Sequence, residues 1–213
     1  MKYISEIMPS LLSGTKVTVE LFVITLLLAI PIGILLALGL RSRFRLLKII
    51  LEAYVWLMRG TPLLLQLIFI FYGLPTIGIV FERFVAAVIA FVLNYAAYFA
   101  EIFRGGLQSV SQEQSEAAAL LGLSKQQAFR FVIMPQVVKI VLPSMGNEVI
   151  NLVKDSSLVY VLGIGDLLRA GNVATARDVT LVPLVLVGII YLLLTGILTY
   201  IQNKIERGFS YYE

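Results

Sequence analysis

The least hydrophobic of the long apolar segments, near the middle of the second half, carries Asn147, Glu148, Asn151, Lys154 and Asp155. Glu148, Asn151 and Asp155 fall at i, i+3 and i+7, one face of a helix. An ionisable group inside a membrane-length segment costs roughly 2.5–3.5 kcal/mol on insertion scales, so such groups face a cavity or a partner. A second segment offers Asn94, Tyr95, Tyr98 and Glu101, of which Asn94, Tyr98 and Glu101 share a face at i, i+4 and i+7. An amide, a phenol and a carboxylate on one face suit an ammonium or guanidinium ion. Gln66 is a weaker member, since a lone glutamine also serves to bond a neighbouring helix. Each set has a structural reading as well. Lys154 and Asp155 could pair with other charges and cap a helix end, Tyr98 could simply pack, and Glu101 could pair with Arg104. The chemistry on offer is binding. With no cysteine and no histidine, thiol chemistry, imidazole bases and histidine metal sites are excluded. Lys154 beside Ser156 and Ser157 is the only local Ser–Lys candidate, and adjacency in sequence is poor support for a dyad.

The elements that position these residues are membrane helices. Of 213 residues, 59% are hydrophobic and 14% charged, against roughly 45–50% and about 25% in soluble domains. The excess lies in long runs, and a crossing takes about 20 apolar residues. We expect one all-α polytopic membrane bundle, a single domain over 1–213. Its five transmembrane helices lie near 17–40, 49–72, 84–103, 136–155 and 180–202. The first is too long for a signal peptide and has no cleavable small-residue end. It contains Pro31 and Gly33, which membrane helices tolerate. The second carries Arg59-Gly60-Thr61-Pro62, which predicts a kink or break. Arg59 could meet an anionic partner or a substrate carboxylate, but near the end of its span it is expected to snorkel to lipid phosphates.

Basic residues set the orientation. Arg41, Arg43, Arg45 and Lys48 follow the first span, Arg104, Lys125, Arg130 and Lys139 lie between the third and fourth, and Lys204 and Arg207 follow the fifth. That side is expected to be cytoplasmic, with the N-terminus outside and the C-terminus inside. The net charge of +4 is thereby accounted for without nucleic acid. On the same side, Ser111-Gln112-Glu113-Gln114 and Ser124-Lys125-Gln126-Gln127 both fit capping boxes. Gly122, between them, suits a left-handed helix end. A short helix near 112–121 should lie along the membrane surface and present Glu116, Ala117 and Leu120. Asp166 is expected to cap a short outer helix.

Glu116-Ala117-Ala118, then Gly122, then Ile133-Met134-Pro135 resembles the EAA loop of bacterial ATP-binding-cassette (ABC) importer permeases, specifically the polar amino acid branch. Three further stretches resemble the same branch: 59–64 (RGTPLL), 100–106 (AEIFRGG) and 154–159 (KDSSLV). Met134 departs from the usual leucine, a swap of similar volume. The resemblance covers nearly the whole chain. It implies a coupling helix with Glu116, Ala117, Ala118, Leu120 and Gly122 docking on a cytoplasmic ATPase dimer, which carries the ATP and magnesium. This chain has no G-x-x-x-x-G-K-[ST] phosphate loop and no cofactor of its own. The resemblance further implies a second permease copy or paralogue, an extracytoplasmic amino acid binding protein and a bacterial inner membrane location. Glu148, Asp155 and Glu101 would make the cavity negative, which favours a cationic amino acid. An ATP-independent channel or carrier would explain the polar stripe but gives no reason for the coupling-type loop.

Overall fold

The computed structural model describes residues 2–209, and among these every regular element is helical. The first helix, α1 (Lys2–Leu40), is longer than the expected span. At 1.5 Å per residue its 39 residues reach about 58 Å, well beyond the roughly 30 Å apolar core. Ser5, Glu6, Ser10, Ser13 and Lys16 dilute the hydropathy before Val17, yet the buried stripe Ile7, Leu11, Gly14, Thr18, Leu21, Thr25, Ala29, Gly33, Ala37 and Leu40 runs the full length at 3–4 residue steps. Burial of that stripe, against two different partners, is what extends the helix.

Its main partner is α4 (Arg83–Ser109), the helix at the centre of the bundle. Ala86, Ala87, Ala90, Ala96, Ala97 and Ala100 of α4 are all fully buried. Small side chains let backbones approach, the usual packing device between helices in lipid. Gly33 completes it: a Cβ there would sit 2.6 Å from Phe99 Cβ and 3.1 Å from the Ala96 carbonyl. Gly33 therefore marks a close approach and no interruption, for α1 runs straight through it and Pro31.

The N-terminal part of α1 packs on α8 (Leu167–Asp178), a twelve-residue helix as the Asp166 signal predicted, though longer than expected. Asp166 caps it, accepting from the amides of Leu168 (3.0 Å) and Arg169 (3.3 Å). Thr18 Oγ1 accepts from the Leu167 amide at 3.2 Å, and Gly14 lies directly under the Asp166–Leu167 backbone. Asp166 is fully buried, and desolvation pushes its carboxyl up to about 6, even though the two amides favour the charged form. At the far end of α8, Asp178 accepts from Arg177 and from Tyr3 Oη at 2.7 Å, which hold it down at about 2.

The remaining elements close the bundle. Helix α2 (Arg45–Gly60) leads to α3 (Leu63–Ile68), which continues through a π turn and a 3-10 turn to Ile77. The polypeptide from Lys125 to Leu162 forms one long run: α6 (Lys125–Ala128), a π turn, α7 (Met134–Asp155) and a 3-10 segment. Helix α9 (Val182–Gly208) is apolar all round until its polar last two turns and buries only Pro183 and Val187. Its exposed Leu192, Leu193 and Ile197 face the solvent that lipid would occupy. Four of these runs are long and apolar enough to cross a membrane; α2 with α3 makes a fifth candidate, bent by 105°.

At the end of the bundle where α1 finishes lies α5 (Gln112–Leu120). The two capping boxes differ in outcome. Ser124 Oγ accepts from the Gln127 amide at 3.3 Å while Gln127 Oε1 accepts from the Ser124 amide at 2.9 Å, the full reciprocal pair. The Ser111 hydroxyl makes no such bond, and the Gln114 amide turns to the Ser111 carbonyl at 3.2 Å. Gly122 adopts φ +79°, the left-handed corner its position predicted.

Candidate functional site

The site is organised by the break between α2 and α3. Thr61, preceding a proline, is forced into extended backbone (φ −119°, ψ 144°), and the helix stops. Pro62 has no N–H, so the Met58 carbonyl four residues earlier loses its helical donor. Two side-chain amides replace it. Gln66 Nε2 donates to Met58 O at 2.9 Å and Asn94 Nδ2 at 3.0 Å, while Asn94 Nδ2 also lies 3.1 Å from Gln66 Oε1. Gln66 Nε2 also lies 3.2 Å from the Thr61 carbonyl and 2.8 Å from Thr61 Oγ1. Thr61 Oγ1 itself donates to Leu57 O at 2.8 Å. Three carbonyls of the broken helix end, those of Leu57, Met58 and Thr61, are thus bonded by side chains, which is how irregular backbone inside a membrane span is tolerated.

A cavity of about 560 Å³ opens beside this break. One wall is the 59–64 backbone turn, a second is Asn94, Tyr95 and Tyr98 of α4, and a third is Glu148, Asn151 and Asp155 of α7. The two polar stripes read from the sequence therefore meet across one space. Tyr95 Oη donates to Asp155 Oδ2 at 2.7 Å and ties α4 to α7. Tyr95 is 2% exposed, packed near Phe91 and Phe99, so from sequence it reads as a core aromatic. The only sequence signal for its role is its place one residue after Asn94.

Arg59 differs most from expectation. It occupies the last turn of α2, fourteen residues, or about 21 Å, from the Arg45 start. The bend turns it inward. Its Nη1 lies 3.4 Å from Glu101 Oε2, its guanidinium stands 5.5 Å from the Tyr98 ring centroid, and it lines the cavity. It does not snorkel outward. Glu101 lies outside this cavity, in an adjoining cleft of about 410 Å³ with Ser144 and Asn147. Both its oxygens accept from Arg104, at 2.8 Å (Nε) and 2.7 Å (Nη2). The expected face of Asn94, Tyr98 and Glu101 is thus split, because seven residues of helix carry Glu101 past Arg59. Gln66 lies behind the cavity wall, 9% exposed. Among the described residues, Glu148 and Asp155 belong to no ion pair.

On α5, Glu116, Ala117 and Leu120 are exposed, with Gln112 Nε2 donating to Glu116 Oε1 at 3.1 Å. Ala118 is buried against the rest of the chain, so it seats the helix. Leu121, placed by the sequence at the end of this helix but not among its docking residues, stands 82% exposed beside Leu120 at 90%. Two neighbouring bare leucines on a corner helix are costly unless covered.

An α-helical bundle with membrane-length apolar helices, a polar cavity beside a broken span and a corner helix ending in two exposed leucines is the build of a membrane transport protein. Residues 29–211 match the profile of the binding-protein-dependent transport system inner membrane component family. The chain belongs to that family. It is 38% identical over 201 residues to the arginine transport system permease protein ArtQ of Bacillus subtilis, covering 93% of this chain and 92% of that one. It is 34% identical to a putative glutamine transport system permease protein GlnP of Rickettsia bellii, covering 97% of each. Among solved structures, an amino acid ABC transporter with histidines superposes with a TM-score of 0.89 at 34% identity, covering 96% of both chains. The inward-facing MetNI methionine ABC transporter gives 0.77 at 18% identity, a likeness of fold alone.

Proposed function

We propose that this chain is the permease subunit of an ATP-driven importer for an amino acid, and that the amino acid is cationic. The observation that carries the reading is the charge of the cavity: among the described residues Glu148 and Asp155 face it outside any ion pair, with Arg59 the one cation in its lining. An amino acid with a net positive charge brings the balance toward neutral, in an environment where uncompensated charge is expensive. Glu148, Asn151, Asp155 and Tyr98 are the contacts to the cargo. Asn94 and Gln66 hold the broken backbone that shapes the wall. The permeases named for arginine and for glutamine among the relatives support an amino acid cargo, and the acidic cavity favours the arginine type.

The cluster of basic residues around α5 supports a cytoplasmic position for that end. Glu116, Ala117, Leu120 and Leu121 then dock on an ATPase dimer that binds ATP and magnesium, Ala118 and Gly122 fixing the corner. The α8 end faces outward, toward a binding protein that delivers the cargo, and a second permease copy or paralogue completes the pathway. The test is uptake into proteoliposomes holding the chain with its ATPase and binding protein. ATP-dependent uptake of arginine, lysine or histidine in preference to glutamine supports the reading. Uptake that proceeds equally without ATP points to a carrier, and a preference for glutamine removes the cationic assignment.

A further inference from the structure

Two cavities of this chain share a partition. The central cavity and the cleft beyond it have three lining residues in common, Arg59, Tyr98 and Glu148. Arg59 is the only cation among them. It can therefore face Glu148 on one side of the partition and Glu101 on the other. In the structure it is drawn to Glu101, by one contact of 3.4 Å.

That contact is the weaker of the two Glu101 makes. Arg104, one turn along the same helix, holds both Glu101 oxygens at 2.7 and 2.8 Å and already balances its charge. Arg104 is itself steadied by Gln108 at 3.0 Å. A carboxylate so paired holds a second guanidinium by its residual field only, whereas among the described residues Glu148 has no ion-pair partner within 4.0 Å. The side chain of Arg59 is 43% exposed, so it is free to swing, and its guanidinium rests on the Tyr98 ring between the two acids.

We infer that Arg59 is an internal competitor for the cargo's cation at Glu148, and that Glu101 is a positioning residue which draws Arg59 aside and so sets the affinity of the cavity. This deepens the proposed function and rests on Glu148 being a cargo contact. Glu101, on this account, never touches cargo. Cargo binding and the Arg59–Glu101 contact favour each other, and an empty cavity whose Arg59 has crossed to Glu148 is closed to a second cation. The exchange needs only side-chain rotation.

The test is the KM and maximal rate of uptake for the wild-type complex and four variants, using the amino acid that the wild type carries best among arginine, lysine, histidine and glutamine. Glu101→Gln keeps the shape and frees Arg59, so KM rises about tenfold with little change in maximal rate. Adding Arg59→Gln to that variant brings KM back near the wild-type value, a coupling a merely structural role does not produce. Arg104→Gln strips Glu101 of its main partner and strengthens its hold on Arg59, so KM does not rise. If Glu101→Gln fails to assemble, this opposite sign in Arg104→Gln alone decides the matter. Parallel loss in Glu101→Gln and Arg104→Gln, or a double variant no better than Glu101→Gln, overturns the inference. So does a raised KM in Arg59→Gln alone, which would make Arg59 a cargo ligand. A neutral best cargo would overturn the cationic reading above yet leave this test readable, since Arg59 still competes with the cargo's α-ammonium.

Discussion

The side chain of Gln66 donates at 2.9 Å to the backbone carbonyl of Met58, the carbonyl that Pro62 leaves without a helical partner. The break in this span is therefore a bonded structure rather than a frayed one. Replacing Gln66 by leucine leaves the Thr61 carbonyl without this donor and leaves Met58 with Asn94 alone. Loss of a buried partner costs about 1–3 kcal/mol. The apparent melting temperature of the detergent-solubilised Gln66→Leu chain should fall, and Asn94→Leu should fall with it by a non-additive amount in a double-mutant cycle. A wild-type melt for Gln66→Leu would show that the bend stands without its amides.

Gly33→Ala sets two effects of opposite sign against each other. Alanine in place of glycine gains about 1 kcal/mol of helix propensity. Its methyl, however, would meet Phe99 Cβ at 2.6 Å, and overpacking costs typically 1–3 kcal/mol. The α1–α4 seam carries much of the core, so packing should win and the variant should melt lower. A higher melting temperature would mean that the two helices have room to separate.

Asp166 gives the fold a pH dependence of unusual sign. Its folded pKa, about 6, lies above the ordinary 3.8. Between those values the folded state holds more protons than the unfolded, so stability falls as pH rises from about 4 through about 6. The fall should be on the order of 2 kcal/mol. Asp166→Asn keeps a capping oxygen and cannot ionise. Thermal melts at pH 4.5 and 7 should differ less for the variant than for the wild type; an equal difference would assign the dependence to other groups.

On the proposed function, the bare pair Leu120–Leu121 is the contact with the ATPase. Leu120→Ser with Leu121→Ser should leave insertion and melting nearly unchanged, since both are over four-fifths exposed. Recovery of the ATPase in pull-down should drop by about tenfold or more, the loss expected from a small apolar hot spot. Undiminished recovery would move the docking site elsewhere on the loop.

Much of this arrangement is legible in the residues. Hydropathy located the five apolar segments, because lipid-facing surface such as Leu192 and Leu193 must be apolar whatever its partners. Helical spacing put Asn94 with Tyr98 on one face and Glu148, Asn151 and Asp155 on another, and the fold brings the two faces to one cavity. What escaped depended on distant geometry. The first fifteen residues of α1 look too polar to span, and only their seam with α8 makes them helix. Arg59 looks like a lipid-facing cation until the 105° bend points it inward. Tyr95 is an unremarkable aromatic until α7 brings Asp155 to its hydroxyl, sixty positions away. The two capping boxes have the same letters, and only one forms.

The central claim is that the cargo's positive group rests on Glu148 and Asp155. Equilibrium binding of radiolabelled arginine to the assembled transporter, without ATP, tests it directly. Glu148→Gln and Asp155→Asn should each weaken binding by about tenfold or more, as loss of a charged partner in a desolvated site does, while ATPase assembly stays intact. Arginine binding unchanged in both variants would contradict the account and place the cargo site elsewhere in the bundle.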